Sequence, residues 1–224
     1  MKNFLKALIN ILLIAILIYS GYNIYNKLTQ YKKADKTYTE IRTEKKETLK
    51  NKNPDFKFWL KVDNTNIDYP VVQSKDNQYY LNKDFYNQDS NSGSIFMDYR
   101  NNPNSQNTIL YGHNMRNKTM FNNLLKFKDQ DFFNQNNKIR VIKDGKEYIY
   151  EVFSAYTIDA GYDYLIPNFS NSESFKNYIK DIKNKSLFRS NLDVNTNDKL
   201  ITLSTCSYEF DDARTVVHAK LIND

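Results

Sequence analysis

Cysteine is nearly missing from the 224-residue chain: Cys206 is the single instance, so no intramolecular disulfide can form. In a domain outside the cell, such a lone thiol is a buried inert group, one half of an intermolecular bridge, or a nucleophile. Histidine is almost as scarce, with His113 and His218 alone. Charge is absent between Ala7 and Tyr25, where Leu, Ile and Ala dominate and Asn10 is the main polar interruption. Nineteen helical residues rise about 28 Å, close to the ~30 Å hydrocarbon thickness of a bilayer. The run is longer than the apolar core of a cleaved signal peptide, and no Ala-x-Ala-like site follows it. An uncleaved membrane anchor through residues 7–25 is therefore expected. Lys2 and Lys6 precede it while Lys27, Lys32 and Lys33 follow it, so the flanking charges barely discriminate its orientation.

The formal charge of +6 is local. The first 26 residues hold two lysines and no acid, and residues 27–52 hold nine basic against four acidic side chains, which leaves −1 for the remainder. A nearly neutral folded part argues against nucleic acid as a partner, and places the basic excess where it favours anionic lipid or wall polymer. From Asn26 to Lys52 glycine and proline are lacking too, while Leu28, Tyr31, Tyr38, Ile41 and Leu49 recur among Lys and Glu. That pattern suits a helical stalk whose sparse apolar stripe lies on the domain, or equally a solvated spacer. Pro54 marks the boundary, giving a tip and membrane anchor over 1–26, a helical stalk over 27–53 and the main folded domain over 54–224.

Beyond Pro54 most segments read as strands. Residues 56–62 and 67–72 are joined by a turn at Asp63–Asn66, residues 94–97 and 108–111 are short strands, and residues 139–142 and 148–153 flank the turn dipeptide Asp144-Gly145. Asp76 is placed to cap a helical turn over 76–81, and residues 119–126 have helical spacing. Phe175, Tyr178, Ile179 and Ile182 mark a helix over 172–187 capped by Ser172. No internal repeat or low-complexity block interrupts the series, which predicts a mainly β fold, a β-barrel with peripheral helices.

The stretch Thr202-Leu-Ser-Thr-Cys206 through Arg214 is the chemical focus. Alternation in a strand puts Ile201 and Leu203 on one face and Thr202, Ser204 and Cys206 on the other, away from the most apolar side. A second strand over 215–222 carries Val217, Ala219 and Leu221 on one face. Cys206 and Arg214 then flank one short connection. His113 sits where the strand Thr-Ile-Leu-Tyr gives way to a loop, a common place for a working side chain. His218, mid-strand beside Lys220, reads as lying on a solvated face, so its removal is expected to be nearly silent. A buried thiol acting as a small hydrophobe is the alternative for Cys206. Thiol, imidazole and guanidinium together form a chemically complete set for acyl transfer: nucleophile, acid–base and oxyanion donor.

The same residues carry a resemblance. Thr-Leu-Ser-Thr-Cys at 202–206 with Arg214 beyond, and Leu-Tyr-Gly-His at 110–113, are similar to the two signatures of sortases, the cysteine transpeptidases of Gram-positive cell walls. Trp59-Leu60, Ile67-Asp-Tyr-Pro-Val-Val-Gln73, Asp76-Asn77 and Tyr80-Leu81 resemble the N-terminal part of class B, and the helix over 172–187 resembles that class's extra helix. The resemblance implies an eight-stranded barrel, an N-terminal anchor with the domain outside, and no cofactor or metal. It also implies cleavage of a sorting-signal peptide after threonine, a thioacyl intermediate on Cys206, and transfer to a peptidoglycan precursor amine. By position it implies catalytic roles for His113, Cys206 and Arg214, and a peptide groove at Asn77, Leu81, Tyr164, Leu165 and Ser204. A cysteine peptidase, in which water resolves the thioester, and a non-catalytic surface-tethered binding domain remain open alternatives on the residues alone.

Overall fold

The computed structural model describes residues 2–135 and 137–223. Eight strands close a barrel: β1 Phe56–Val62, β2 Asp68–Val72, β3 Ile95–Met97, β4 Asn107–Tyr111, β5 Lys138–Lys143, β6 Lys146–Asp159, β7 Leu200–Cys206 and β8 Ala213–Leu221. Their order around the barrel is β1-β2-β3-β4-β7-β8-β6-β5. The β2–β3 and β4–β7 pairs are parallel and the rest antiparallel. The expected strands are all present, and β6 is longer than its apolar run suggested. Asp144 and Gly145 both adopt positive φ, 51° and 76°, as a tight β5–β6 turn requires. The helical spacing at 119–126 forms a 3-10 turn over Asn122–Lys128, and a helix that the sequence did not suggest, α3, follows over Gln130–Gln135.

Alternation in β7 and β8 sorts side chains between two cores. Ile201, Leu203, Val217 and Ala219 join the barrel cluster, whereas Leu200 and Val216 join a second cluster with Phe153, Tyr156 and Tyr164. That outer cluster is roofed by α4, Ser172–Lys185, which contributes Phe175, Tyr178, Ile179 and Ile182. Asn171, not Ser172, caps α4: its side chain accepts from the Ser174 N–H at 2.8 Å, and Ser174 Oγ in turn accepts from the Asn171 N–H. The capping residue must stand just outside the helix with extended backbone, and Asn171 does so.

The roof overturns the solvated reading of His218. Its face does point away from the barrel, but α4 covers that face and His218 is 0 % exposed. Thr202 Oγ1 donates its one proton to Asn107 Oδ1 at 2.8 Å, so it accepts from His218 Nδ1–H at 2.9 Å. His218 Nε2 accepts from the Tyr156 hydroxyl at 2.8 Å. Asn107 Nδ2 passes the series to the Tyr178 hydroxyl, which donates to the Tyr164 carbonyl. Every donor in this buried series has an acceptor.

At the N-terminus α1 runs unbroken from Lys2 to Arg42, long and apolar enough in its first part to cross a membrane, and a short α2 over Leu49–Lys52 leads into the barrel. Its last part is seated on the barrel. Tyr38 and Ile41 are buried, Tyr38 Oη donates to the Gly93 carbonyl at 2.7 Å, and Arg42 Nε donates to the Asp68 carbonyl at 3.0 Å. Burying each large side chain contributes roughly 1.5–3 kcal/mol, so the stalk is docked rather than a solvated spacer. Leu28, placed on the same stripe by sequence, stays exposed.

Burial pushes the pKa of His218 down to about 3, with Asp181 of α4 opposing weakly. The unfolded chain takes up a proton near pH 6.5 that the fold refuses. His218 therefore costs nothing above that pH and removes up to about 1.4 kcal/mol of stability per unit as the pH falls from 6.5 towards 3. His218→Ala should cost roughly 2–4 kcal/mol at neutral pH, since it opens a cavity and leaves the Tyr156 hydroxyl without its acceptor, and should flatten the acid slope. Calorimetric melting from pH 4 to 8 tests both effects; an unchanged melting temperature would refute the buried role.

Candidate active site

Cys206 ends β7 and lies directly opposite Arg214, the second residue of β8, across the antiparallel ladder. Opposed residues project to the same face with Cβ atoms about 4.5–5.5 Å apart, so thiol and guanidinium start as neighbours. Both are half-buried rather than sealed in. The Ser207 N–H donates to the Ala213 carbonyl at 2.8 Å and closes the ladder beneath the connection, which turns at Asp212 with φ 55°. Ser207 is held from the side by Lys128 Nζ at 3.2 Å.

β4 lies on the other flank of β7 and runs parallel to it, Tyr111 level with Ser204. Two residues further along each chain, His113 and Cys206 leave their strands at the same end of the barrel. Gly112 between them has no room for a side chain: a Cβ would stand 2.4 Å from Ile95 Cδ1 and 2.9 Å from Phe121 Cγ. Its carbonyl accepts from Thr205 Oγ1 at 2.7 Å, tying the histidine segment to the cysteine strand. Asn114, a residue the sequence reading passed over, adds a second tie, donating from Nδ2 to the Cys206 carbonyl at 2.9 Å. Its side-chain oxygen is held at 2.6 Å by Asn122 Nδ2. Its signal was adjacency, a polar amide following His113 directly.

His113 Nε2 lies 2.8 Å from the Leu81 carbonyl. A carbonyl only accepts, so Nε2 carries a proton and Nδ1 is the nitrogen left to gain or lose one. The orienting partner is therefore main chain, which no residue identity announces. Gly93 makes room for it: with φ +55°, a Cβ there would stand 2.6 Å from the carbonyls of both Tyr80 and Leu81.

The remaining candidates make bonds of their own. Ser204, two residues before Cys206 on the same face, bonds the Tyr164 hydroxyl at 2.9 Å, and both are buried. Asn77 donates to Asp98 Oδ2 at 3.0 Å and accepts from the Tyr99 N–H. The Leu165 carbonyl accepts from Arg100 at 2.9 Å. Asp98, fully buried and likewise unforeseen, gathers Asn77, a bidentate pair of bonds from Arg100 at 2.9 Å each, and the Tyr111 hydroxyl at 2.7 Å. Burial pushes its carboxyl pKa up, but bonds from Arg100, Tyr111 and Asn77 outweigh that and hold it below the ordinary range. Burial and Asp98 push the Tyr111 phenol up, so it stays a donor. The hub thus braces β4 two residues before His113, and its one sequence signal is an acid and an arginine two apart after an apolar strand.

A nucleophile, an acid–base group and a cationic donor at one open end of three adjacent strands can carry out acyl transfer. Comparison with known proteins agrees with that chemistry. A family model described as a sortase domain matches residues 60–222. Sortase B of Listeria monocytogenes is 34% identical over 242 residues, covering 99% of this chain and 98% of that protein. Sortase B of Clostridium perfringens superposes with a TM-score of 0.78 at 46% identity, covering 80% of this chain and 100% of that one. A Staphylococcus aureus sortase B–substrate complex superposes with a TM-score of 0.80 at 32% identity, covering 87% and 99%.

Proposed function

The chain belongs to the sortase family, in its class B, and from that premise we propose that it cleaves a sorting-signal peptide after threonine and passes the acyl fragment from Cys206 to a peptidoglycan amine. Sortases of this class are cysteine transpeptidases, and the fold is theirs. The observation that carries the reading is the pairing of Cys206 with Arg214 on one side and the level approach of β4, with His113, on the other.

The thiolate sulfur attacks the threonine carbonyl carbon, forming the C–S bond and an oxyanion. Arg214 donates to that oxyanion with a planar fork that a point charge does not reproduce. As the C–N bond breaks, His113 gives its proton to the departing amine and leaves the thioacyl intermediate. An incoming wall amine then attacks the thioester carbonyl, His113 takes its proton, and sulfur departs as thiolate. A free thiol is only a few per cent thiolate at neutral pH, so a cationic neighbour favours the reactive form. Asn77, Leu81, Tyr164, Leu165 and Ser204 form the peptide groove or its floor. The S. aureus sortase B–substrate complex supports a peptide partner for this chain. The uncharged run of α1 is the single membrane span, with residues 1–26 as tip and anchor, 27–53 as stalk and 54–224 as the catalytic domain outside.

With a sorting-signal peptide, Cys206→Ala and His113→Ala should abolish turnover, and Arg214→Lys should lower it by about 10²- to 10³-fold, as for loss of an oxyanion donor. An amine nucleophile should divert product from hydrolysis to ligation. Full turnover by Cys206→Ala, or hydrolysis indifferent to every amine, would refute the transpeptidase reading. Protease shaving of whole cells should remove the barrel; complete protection would refute its placement outside.

A further inference from the structure

Because α1 is one helix from Lys2 to Arg42, the uncharged run and the part seated on the barrel share an axis. The seat is fixed at several points: Asn91 Nδ2 donates to Gln30 Oε1, Tyr38 to Gly93, and Arg42 to Asp68. The half-buried Tyr31, Ala34 and Thr37 recur every three residues and place the same face of α1 against the domain. The barrel is held against α1 rather than swinging on a flexible tether.

All of these contacts fall at one end of the barrel. Asp68 opens β2, and Gly93 closely precedes β3; both strands run away from the end at which β4 and β7 finish. Nearest the span, Lys27 and Tyr31 share a cleft of about 380 Å³ with Asn114, Met115, Arg116 and Tyr208, residues that follow His113 and Cys206 within three positions. Lys27 lies two residues and Tyr31 six residues beyond Tyr25, roughly 3 and 9 Å of helix rise. The opposite mouth, where Phe58, Tyr148 and Lys199 line another cleft, lies about 20 Å further off along the strands.

The side chains at the near end suit a lipid headgroup layer. Among the described residues no acidic one lines the cleft, Lys27 and Arg116 are cationic and exposed, and Tyr208 is 74% exposed. Basic and tyrosine side chains settle at that depth because each has an apolar body and a polar tip. We propose that Arg116 and Tyr208, together with Lys27, rest on anionic lipid headgroups, so that the His113–Cys206 end of the barrel works against the membrane surface. This rests on the reading of residues 7–25 as a span.

The test uses the full chain in nanodiscs of phosphatidylcholine and phosphatidylglycerol whose acyl chains are brominated near the headgroup. Trp59, the one native tryptophan, is 1 % exposed and gives a constant background. Tyr208→Trp should add emission that the brominated lipid quenches, whereas Tyr148→Trp at the far mouth should add emission that it does not. Combining Lys27→Glu and Arg116→Glu with Tyr208→Trp should relieve the quenching. A chain that enters the disc with Tyr208→Trp unquenched, or with Tyr148→Trp quenched instead, overturns the apposition alone. Equal quenching in discs lacking phosphatidylglycerol overturns the assignment to anionic headgroups. A chain that does not enter the disc overturns the span and this inference together.

Discussion

Asn107–Tyr111 of β4 pair in parallel with Leu200–Ser204 of β7, joining segments that are 93 positions apart at every rung. Such a ladder pays loop-closure entropy before it returns any contact, so it depends on the rest of the barrel being closed around it. In return it delivers His113 and Cys206 to one end on adjacent strands, and the β7–β8 pairing adds Arg214. A slip of one residue would send the thiol to the barrel interior and break the relation. The ties from Thr205 to Gly112 and from Asn114 to the Cys206 carbonyl guard that register next to the chemistry.

The outer face of β7 is polar where a core would ordinarily be apolar. Thr202 and Ser204 lie under α4 and its neighbours, and each has a buried partner, His218 or Tyr164. This polar layer costs desolvation, and its closed series of donors and acceptors offsets that cost and admits one arrangement of side chains. Cys206 stands at the open edge of this same face, so the layer that roofs His218 also forms the rigid floor behind the thiol.

Much of this was legible in advance because strands alternate. The faces of Ile201, Leu203, Val217 and Ala219 follow from period two alone, as does the outward thiol. Alternation tells which side a residue faces and nothing of what lies above it, which is why His218 read as solvated although α4 covers it. Ser172 and Asn171 are both competent caps, and only backbone angles decide between them. The expectation that His113 joins Cys206 and Arg214 leaned on family resemblance, since a spacing of 93 residues has no local signature. The Leu81 carbonyl that orients His113 and the Asp98 hub that braces β4 depend on tertiary contacts with no pattern in sequence.

The most direct measurement is the rate at which Cys206 in the folded full chain reacts with a thiol-specific alkylating agent, followed by mass spectrometry. An open thiol beside these neighbours reacts under native conditions, and His113→Ala or Arg214→Lys changes that rate. A thiol that reacts only once the barrel is unfolded, or at a rate that both substitutions leave unchanged, would contradict the convergence on which the chemistry depends.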